Sequence, residues 1–581
     1  MIDKIIEHID LWTSAQTPKN NGRGRNGNGQ LYGIKKLREL ILELAVRGKL
    51  VPQDPNDEPA GELLKRISFE EKKLVKEKKI KKPKDLSKIS EEEIPFDLPE
   101  GWVYVRLNNL GEWRAGATPL RNKTEYYGGD IPWFKSGELT DDYISQSEET
   151  VTELALKETS LRFNKPGDVL IAMYGATIGK TSILTINATT NQAVCACTPF
   201  AGMYNVYLLT LLKAFKNRFI AQGAGGAQPN ISREKIIATV IALPPLAEQH
   251  RIVAKVDELM ALCDQLEQQQ NNSIATHQKL VETVLETLTR ATSAEEFKEF
   301  WQRIAQNFDT LFTTEQSIDL LKQTILQLAV MGKLVPQDPN DEPASELLKR
   351  IAKEKEGLVK EGKIRKGKPL PPVKEEEVPY EVPKGWVWCR LGDIIFDTDA
   401  GKSPHCEKRN VTDNEWGVLT TTSIQINKFE EDENKILPPN YKINHEQVVE
   451  LNDILITRAG PLNRTGISCV VKNITKNLIL SDKTIRLKYP NKLISPDFIT
   501  LAINSPMVRN LLILKMSGMA ESQVNISQER LKSIVFPVLP TTEQKRIVAK
   551  VDELFAICDA LKERIVEGEE LKVKMAEVVN S

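Results

Sequence analysis

The sequence predicts an α+β protein. Two mixed α/β domains sit in a duplicated helical frame and are joined by long antiparallel coiled-coil helices, with a pseudo-twofold relating the halves. Three observations predict it. First, a phrase occurs twice, as Gly48–Ile67 (GKLVPQDPNDEPAGELLKRI) and Gly332–Ile351 (GKLVPQDPNDEPASELLKRI), with one difference in 20 positions at an offset of 284. Second, Glu248–Asp264 (EQHRIVAKVDELMALCD) returns as Glu543–Asp559 (EQKRIVAKVDELFAICD) at an offset of 295, carrying a heptad stripe. Third, Val103–Leu243 and Val387–Leu539 between the phrases share only a skeleton and are rich in short β-type runs. Two long repeats, rather than three or more short ones, exclude a solenoid.

In chain order this gives five segments. Residues 1–98 are an N-terminal helical frame segment with linkers, and 99–245 the first mixed domain. Residues 246–382 hold a central long helix and the second frame copy, 383–539 the second mixed domain, and 540–581 a C-terminal long helix.

In the frame, Ile34–Arg47 is apolar at helical spacing, Pro52–Pro59 breaks it, and Glu62–Lys82 resumes as a helix whose Lys/Glu run reads as a solvated face, with a protein-docking surface as the alternative. Asn20–Gln30 is a linker by composition. Strands are expected at Asp168–Met173, Ala193–Cys197, Ile454–Thr457 and Lys483–Leu487, and helices at Tyr204–Gln222 and Asp497–Met516. In the last helix, Thr541 or Thr542 is the expected N-cap after Pro540. Its seam runs Ile547, Val551, Leu554, Cys558, Leu561, Ile565, weakens at Gly568 and Lys572, and returns at Met575 and Val579. The first copy runs Ile252, Val256, Leu259, Cys263, Leu266, turns polar at Gln268–Ser273 and recovers at Leu280, Val284 and Leu288. Roughly 40 helical residues give a rod of about 60 Å.

Composition narrows the function. With 79 basic and 80 acidic residues the net charge is −1, so the whole chain is not a basic nucleic-acid binder. The mixed domains are marginally positive: 14 basic against 13 acidic over Glu100–Pro245, and 19 against 17 over Gly385–Val538. Seven cysteines without a C-x-x-C predict neither a disulfide framework nor a zinc site and suit a reducing cytosol. No run reaches the ~18 apolar residues of a membrane helix, and Met1–Thr13 lacks the features of a signal peptide. A cytoplasmic protein without a membrane partner is expected.

No catalytic constellation emerges. Gly22-Arg-Gly24-Arg-Asn-Gly27 follows polar linker, where a dinucleotide fingerprint needs a strand. Gly175-Ala-Thr-Ile-Gly179-Lys180-Thr181 has three residues between its glycines where a phosphate loop needs four. Pro438-Pro-Asn-Tyr441 holds the letters of an adenine-methyltransferase tetrapeptide in the wrong order. His8, His250, His277, His405 and His445 are scattered, and Asp130, Asp141 and Asp142 form no nuclease core with Lys135. No catalytic, metal or cofactor-binding residue is assigned.

Several phrases, in this order and duplicated, carry a resemblance: Gly116-Ala-Thr-Pro119 leading to Ile131-Pro-Trp133, Gly167-Asp-Val-Leu-Ile-Ala-Met-Tyr-Gly-Ala-Thr-Ile-Gly179, Asn230-Ile-Ser232, and Leu243-Pro-Pro-Leu-Ala-Glu-Gln249 echoed by Leu539-Pro-Thr-Thr-Glu-Gln544. The chain resembles the specificity subunit of type I restriction-modification systems over nearly its whole length. The resemblance implies that the mixed domains are target recognition domains, each reading one half of an asymmetric, interrupted site on double-stranded DNA. It implies that the helices space them and, with the frame, dock two methyltransferase subunits, and that restriction/motor subunits join for cleavage. S-adenosylmethionine, ATP and magnesium are then expected in the partner subunits, with no cofactor in this chain and no enzyme activity of its own. The alternative is a bivalent protein-binding scaffold without DNA specificity.

Base edges call for bidentate or amide side chains, and phosphates for Lys, Arg and hydroxyls. The DNA-binding candidates are Arg114, Thr118, Arg121, Lys135, Ser136, Tyr174, Thr177, Lys180, Gln228 and Asn230 in the first domain. In the second they are Lys402, Ser403, Thr420, Thr421, Arg458, Asn463, Arg464, Gln523 and Asn525. Arg458 and Arg464 stand out because they flank a Gly-Pro turn after a strand. Asn230 and Asn525 have helix capping as their alternative role. Trp102 and Trp386 read as core of the frame.

Overall fold

The computed structural model describes residues 9–15, 31–223, 229–412 and 414–580. It divides into two compact units: Met1–Ser273 with Gly568–Ser581, and Ile274–Glu567. Each long helix therefore begins in one unit and ends in the other.

In the first unit the frame helix Tyr32–Val46 buries Ile34, Leu37, Ile41 and Leu44 at 3–4 residue spacing. It ends where Gly48 turns left-handed (φ +67°), with Trp102 and Pro99 so close that a Cβ would lie 2.5 Å from the proline ring. The loop that follows turns back along the start of the long helix Leu246–Arg290. There the Gln53 amide donates to the Gly48 carbonyl (2.7 Å) and to Glu248 (3.1 Å), the Trp102 indole N–H donates to the other Glu248 oxygen (2.8 Å), and Arg251 pairs with Asp57 (2.5 Å). Trp102 is core, as its sequence context suggests. Burial pushes the Glu248 carboxyl above its ordinary pKa.

The second unit repeats this lock. Gln337 donates to Gly332 (2.6 Å) and Glu543 (3.2 Å), Trp386 to Glu543 (2.9 Å), and Arg546 pairs with Asp341 (2.6 Å). The two repeated phrases are thus two sides of one joint. The Gly-Lys-Leu-Val-Pro-Gln loop grips the Glu-Gln helix start, so neither side can drift without the other.

Each mixed domain hangs from the frame by a pair of antiparallel strands. Val103–Arg106 pairs with Val240–Leu243, Val103 facing Leu243, and Val387–Arg390 pairs with Val535–Val538, Val387 facing Val538. The buried Arg106 closes the neck: it donates to both oxygens of Glu93 (2.9 Å each) and to the Ala238 carbonyl (2.7 Å). Arg390 does the same with Glu377 (2.9 and 2.6 Å) and the Ser533 carbonyl (3.0 Å). The guanidinium bonds bring both carboxyls down to about 2. Their folded pKa lies below the unfolded value, so their stabilisation is full above about 4.3 and is lost as pH falls toward 2. Acid titration of the wild type followed by circular dichroism should show this loss, and an Arg390→Gln chain should show a shallower one.

Above the necks the two domains share a core topology despite their divergent sequences, the first domain's larger sheet having one more strand. The first has a sheet ordered Gly111–Ala115, Val194–Pro199, Val169–Ala172, Thr181–Leu184, Tyr143–Ile144, antiparallel except for the last pair. Its second sheet is ordered Glu149–Val151, Tyr127–Phe134, Thr189–Thr190. The second domain has Asp397–Ala400, Thr484–Lys488, Ile454–Thr457, Ser468–Val470, and then Asn434–Ile436, Trp416–Leu419, Asn477–Ile479. Gly116 and Gly401 hold equivalent places where strands approach closely. A Cβ on Gly116 would lie 2.3 Å from the Thr190 and Asn191 carbonyl oxygens, and one on Gly401 would lie 1.7 Å from the Leu480 oxygen. Gly401→Ala should therefore lower the melting temperature of the second domain by several degrees, read by calorimetry.

The helices differ from expectation in detail. Each expected helical stretch of the mixed domains is two helices. One pair is Asn205–Ala214 and Lys216–Gly223; the other is Pro496–Asn504 and Pro506–Lys515, divided where Ser505 caps a helix whose first residue is proline. The second frame helix runs Ala60–Lys76 and stops before Lys78, whose φ is +56°, short of the expected Lys82. Thr541 is already helical, and neither threonine is the cap. The Thr541 hydroxyl donates to the Leu493 carbonyl, and the Gln544 amide bonds the Pro540 carbonyl instead.

In the second unit Ile547, Val551 and Cys558 are buried, with Leu554, Leu561 and Ile565 packed against the same core. Val281, Leu285 and Leu288 of the first long helix contribute to that core. Of the expected recovery Leu280, Val284 and Leu288, Leu288 is buried and Val284 packs against this core, while Leu280 is half exposed and Val281 is enclosed in its place. Near the C-terminus Met575 is half exposed and Ala576 is enclosed instead, while the Val579 side chain lies outside the described ones. The amphipathic helix Ala294–Gln306, between the first long helix and the second frame copy, carries no expectation from the sequence.

Candidate nucleic-acid interface

In the first domain the strand Val169–Ala172 ends in a tight turn. The Gly175 amide donates to the Pro229 carbonyl (2.8 Å) and the Ile231 amide to the Met173 carbonyl (2.9 Å), so Tyr174 faces Asn230 across a single bridge. The Thr177 hydroxyl donates to the Tyr174 carbonyl (2.7 Å). Tyr174 and Asn230 are exposed, and Lys180 makes no ion pair among the described residues. Four candidates therefore meet at one turn. Gln228 and Gly22–Gly27 lie outside the described residues. The Gly179-Lys180-Thr181 run feeds the strand Thr181–Leu184, with the Thr181 hydroxyl on Asp141 (3.1 Å), and not the helix that a phosphate loop requires.

The other candidates of this domain form a second group. Arg121 lies over the rings of Tyr127 (4.8 Å) and Trp133 (4.9 Å) and pairs with Glu149 (2.5 Å), which also takes Lys135 (3.1 Å). These two cations share one carboxylate, held below its ordinary range mainly by the Arg121 bond. Thr118 donates to Gln192, Arg114 reaches Glu112 and Thr198 at 3.5 Å, and Ser136 opens a short turn.

The second domain gathers its candidates more tightly. After Ile454–Thr457, Arg458 accepts from the Ile526 amide (2.9 Å) and donates its own amide to the Lys483 carbonyl (2.8 Å). Ala459–Gly460 pairs with the hairpin strand Gln523–Asn525, and Leu462 bonds Glu521. Arg458, Asn463, Gln523 and Asn525 thus surround one loop. Ser403 donates to Asp482, beside Lys483, in the place that Thr118 and Gln192 occupy in the first domain. Lys402, Arg458 and Lys483 make no ion pair among the described residues.

Arg464 is engaged within its own domain. It donates to Gln425 (2.8 Å) and to the carbonyls of Thr421 (2.9 Å) and Ile424 (3.2 Å), tying the loop down, while Thr420 bonds the Glu433 carbonyl (2.8 Å). Arg509, which the sequence did not single out, holds the same loop from the other side through Thr465 (2.8 Å) and Leu462 (2.9 Å). Burial pushes both guanidiniums down, since carbonyls and amides are their direct partners. Asn230 and Asn525 do not cap helices. Ser232 and Ser527 do, accepting from Lys235 and Arg530.

A family model described as the type I restriction modification DNA specificity domain matches twice, at residues 99–276 and 383–568. The chain belongs to that family. Among curated relatives, the type I restriction enzyme EcoEI specificity subunit of Escherichia coli is 45% identical, over 100% of this chain and 99% of its own length. The EcoAI specificity subunit, also of Escherichia coli, is 40% identical over 99% and 98%. The matches begin at residues 99 and 383 and run past each neck into the long helices. One core topology thus carries two unlike loop sets. No helix among the described residues is long and apolar enough to cross a membrane.

Proposed function

We infer that this specificity subunit reads double-stranded DNA at an asymmetric site in two halves, one per mixed domain. One observation carries the reading. On loops of a common core topology, each domain presents side chains suited to bases and phosphates: Tyr174, Lys180 and Asn230 in one, Lys402, Arg458, Asn463 and Gln523 in the other. Tethering two weak readers raises the effective concentration of the second wherever their spacing suits the duplex. Unlike faces imply unlike half-sites.

The duplicated frame docks two methyltransferase subunits in this reading, and restriction/motor subunits complete the complex. Adenine methylation then belongs to the partners, as do S-adenosylmethionine, ATP and magnesium, and this chain performs no chemistry. Sequencing the methylated adenines of cells that express the chain with its cognate modification subunit should return one bipartite, non-palindromic motif. Absence of any motif, together with salt-independent DNA affinity, would favour the protein-binding scaffold.

Arg458 gives a sharper test. Its side chain has no partner among the described residues, so Arg458→Gln should leave the melting temperature unchanged. The same change should weaken binding to the identified site at least tenfold. Equal affinity in a titration would remove Arg458 from the interface.

A further inference from the structure

The frame copies are near-identical up to Ile67 and Ile351, and then their letters drift. Lys76–Lys88 reads KEKKIKKPKDLSK and Lys360–Lys374 reads KEGKIRKGKPLPPVK. The charge does not drift. The first has seven lysines against two acids and the second six cations against one, so each is 7 − 2 = +5 and 6 − 1 = +5. Against a whole chain of −1 and mixed domains of 14 − 13 = +1 and 19 − 17 = +2, these straps are strongly cationic stretches of their halves.

Both straps leave a frame helix and run without regular structure to a short turn, at Glu91–Glu93 and Glu375–Glu377. Both are pinned to the neck of their own domain. Arg106 bonds the Ser87 carbonyl (3.1 Å) and Asn108 the Lys84 carbonyl (3.2 Å), while Arg390 bonds the carbonyls of Pro371 (3.0 Å) and Pro372 (3.1 Å). The backbone is pinned at these carbonyls, and most of the cationic ends are unpaired among the described residues. Lys76, Lys78, Lys81, Lys84 and Lys88 are exposed and make no ion pair among the described residues, as are Lys360, Arg365, Lys366 and Lys368. Lys79, Lys82 and Lys363 pair with the straps' own Glu77, Asp85 and Glu361, and Lys374 pairs with Glu376 just beyond its strap.

We propose that the two straps are phosphate-contacting strips that grip the DNA backbone beside each reading domain without regard to sequence. This rests on the DNA-reading function above and adds to it a sequence-independent share of the binding. An acidic protein partner fits less well. Protein interfaces are depleted in lysine and centred on aromatic or apolar anchors, and the straps carry no aromatic residue, with Ile80, Leu86 and Ile364 turned partly inward. A row of mostly unpaired lysines held on a pinned backbone is the electrostatic footprint of a polyanion.

The test uses the full chain in complex with its modification subunits and two probes: an alternating dA·dT duplex, and a duplex bearing the methylated motif. Lys78, Lys81, Lys84, Arg365, Lys366 and Lys368 are changed together to Gln, all at exposed positions. The slope of log affinity against log salt on the alternating duplex should fall by about 2 to 5, at ~0.9 per lost phosphate contact, and low-salt affinity at least tenfold. The methylated motif should stay the same. An unchanged slope with normal binding of the motif duplex overturns the strips and leaves the reading function intact. Loss of complex assembly with an unchanged slope overturns them in favour of a protein-docking role. If the wild-type complex binds neither duplex in a salt-dependent way, the reading function itself fails.

Discussion

Replacing Val103–Leu243 with the corresponding segment of a relative should change one half of the methylated motif and leave the other half and the gap intact. The expectation follows from the neck. Val103 and Leu243 are direct partners in one strand pair, so both ends of the graft emerge side by side. The graft carries its whole ladder, including Arg106, and its side-chain bonds to the frame run to Glu93, to the Lys84, Ser87 and Phe96 carbonyls and to Gln249 and Glu70, while the Trp102–Glu248 joint lies wholly outside it. The altered half should be the donor's, because the turn around Tyr174 and Asn230 travels with the graft. Methylome sequencing reads the outcome directly. An unchanged motif from a folded, active chimera would mean that this domain does not read DNA, whatever its topology.

The sequence showed the frame clearly because duplication acts as an internal comparison. The phrases at Gly48 and Glu248 each recur, and the structure shows why they recur together: Gln53 and Trp102 both donate to Glu248. The strands at Val169–Ala172 and Ile454–Thr457 were visible as continuous apolar runs, all four positions buried in each. What was hidden is whatever depends on tertiary partners. Leu280 fits the heptad as well as Val281 does, and only the neighbouring core of the second unit decides that Val281 goes inside. Arg464 and Arg458 look alike in sequence, six residues apart around a Gly-Pro turn. Arg464 finds three carbonyl or amide acceptors within reach and Arg458 none among the described residues, which no local pattern encodes. Arg509 is 45 residues beyond Arg464, on a helix whose pattern signals only amphipathicity, yet it secures the same loop. The common topology of the two domains was likewise masked, because strand order is set by which apolar faces meet and tolerates wide changes of side chain.

Removing the carboxylate at the heart of either joint should cost more stability than other single changes in the frame. Glu248→Ala deprives the buried Trp102 indole of its acceptor and the Gln53 amide of one of its three, and Glu543→Ala does the same to Trp386 and Gln337. Each buried donor left unpaired costs about 1–3 kcal/mol, set against relief from burying a carboxylate. Glu248→Gln should be far milder, because an amide oxygen still accepts from the indole. The pH dependence separates the two effects. Burial raises both carboxyls above their unfolded value, so their ionisation works against folding. The contribution is therefore unfavourable at neutral pH and fades as pH falls through the raised folded value toward about 4.3, the reverse of the Glu93 and Glu377 clamps. Above the acid range that releases those clamps, wild-type stability should thus rise slightly on mild acidification, and the Glu248→Gln/Glu543→Gln chain should lose that rise. Chemical denaturation at a series of pH values reads both. A flat wild-type profile, or an alanine variant as stable as the glutamine one, would show that the joint is held by packing of the indoles and not by their hydrogen bonds to the carboxylates.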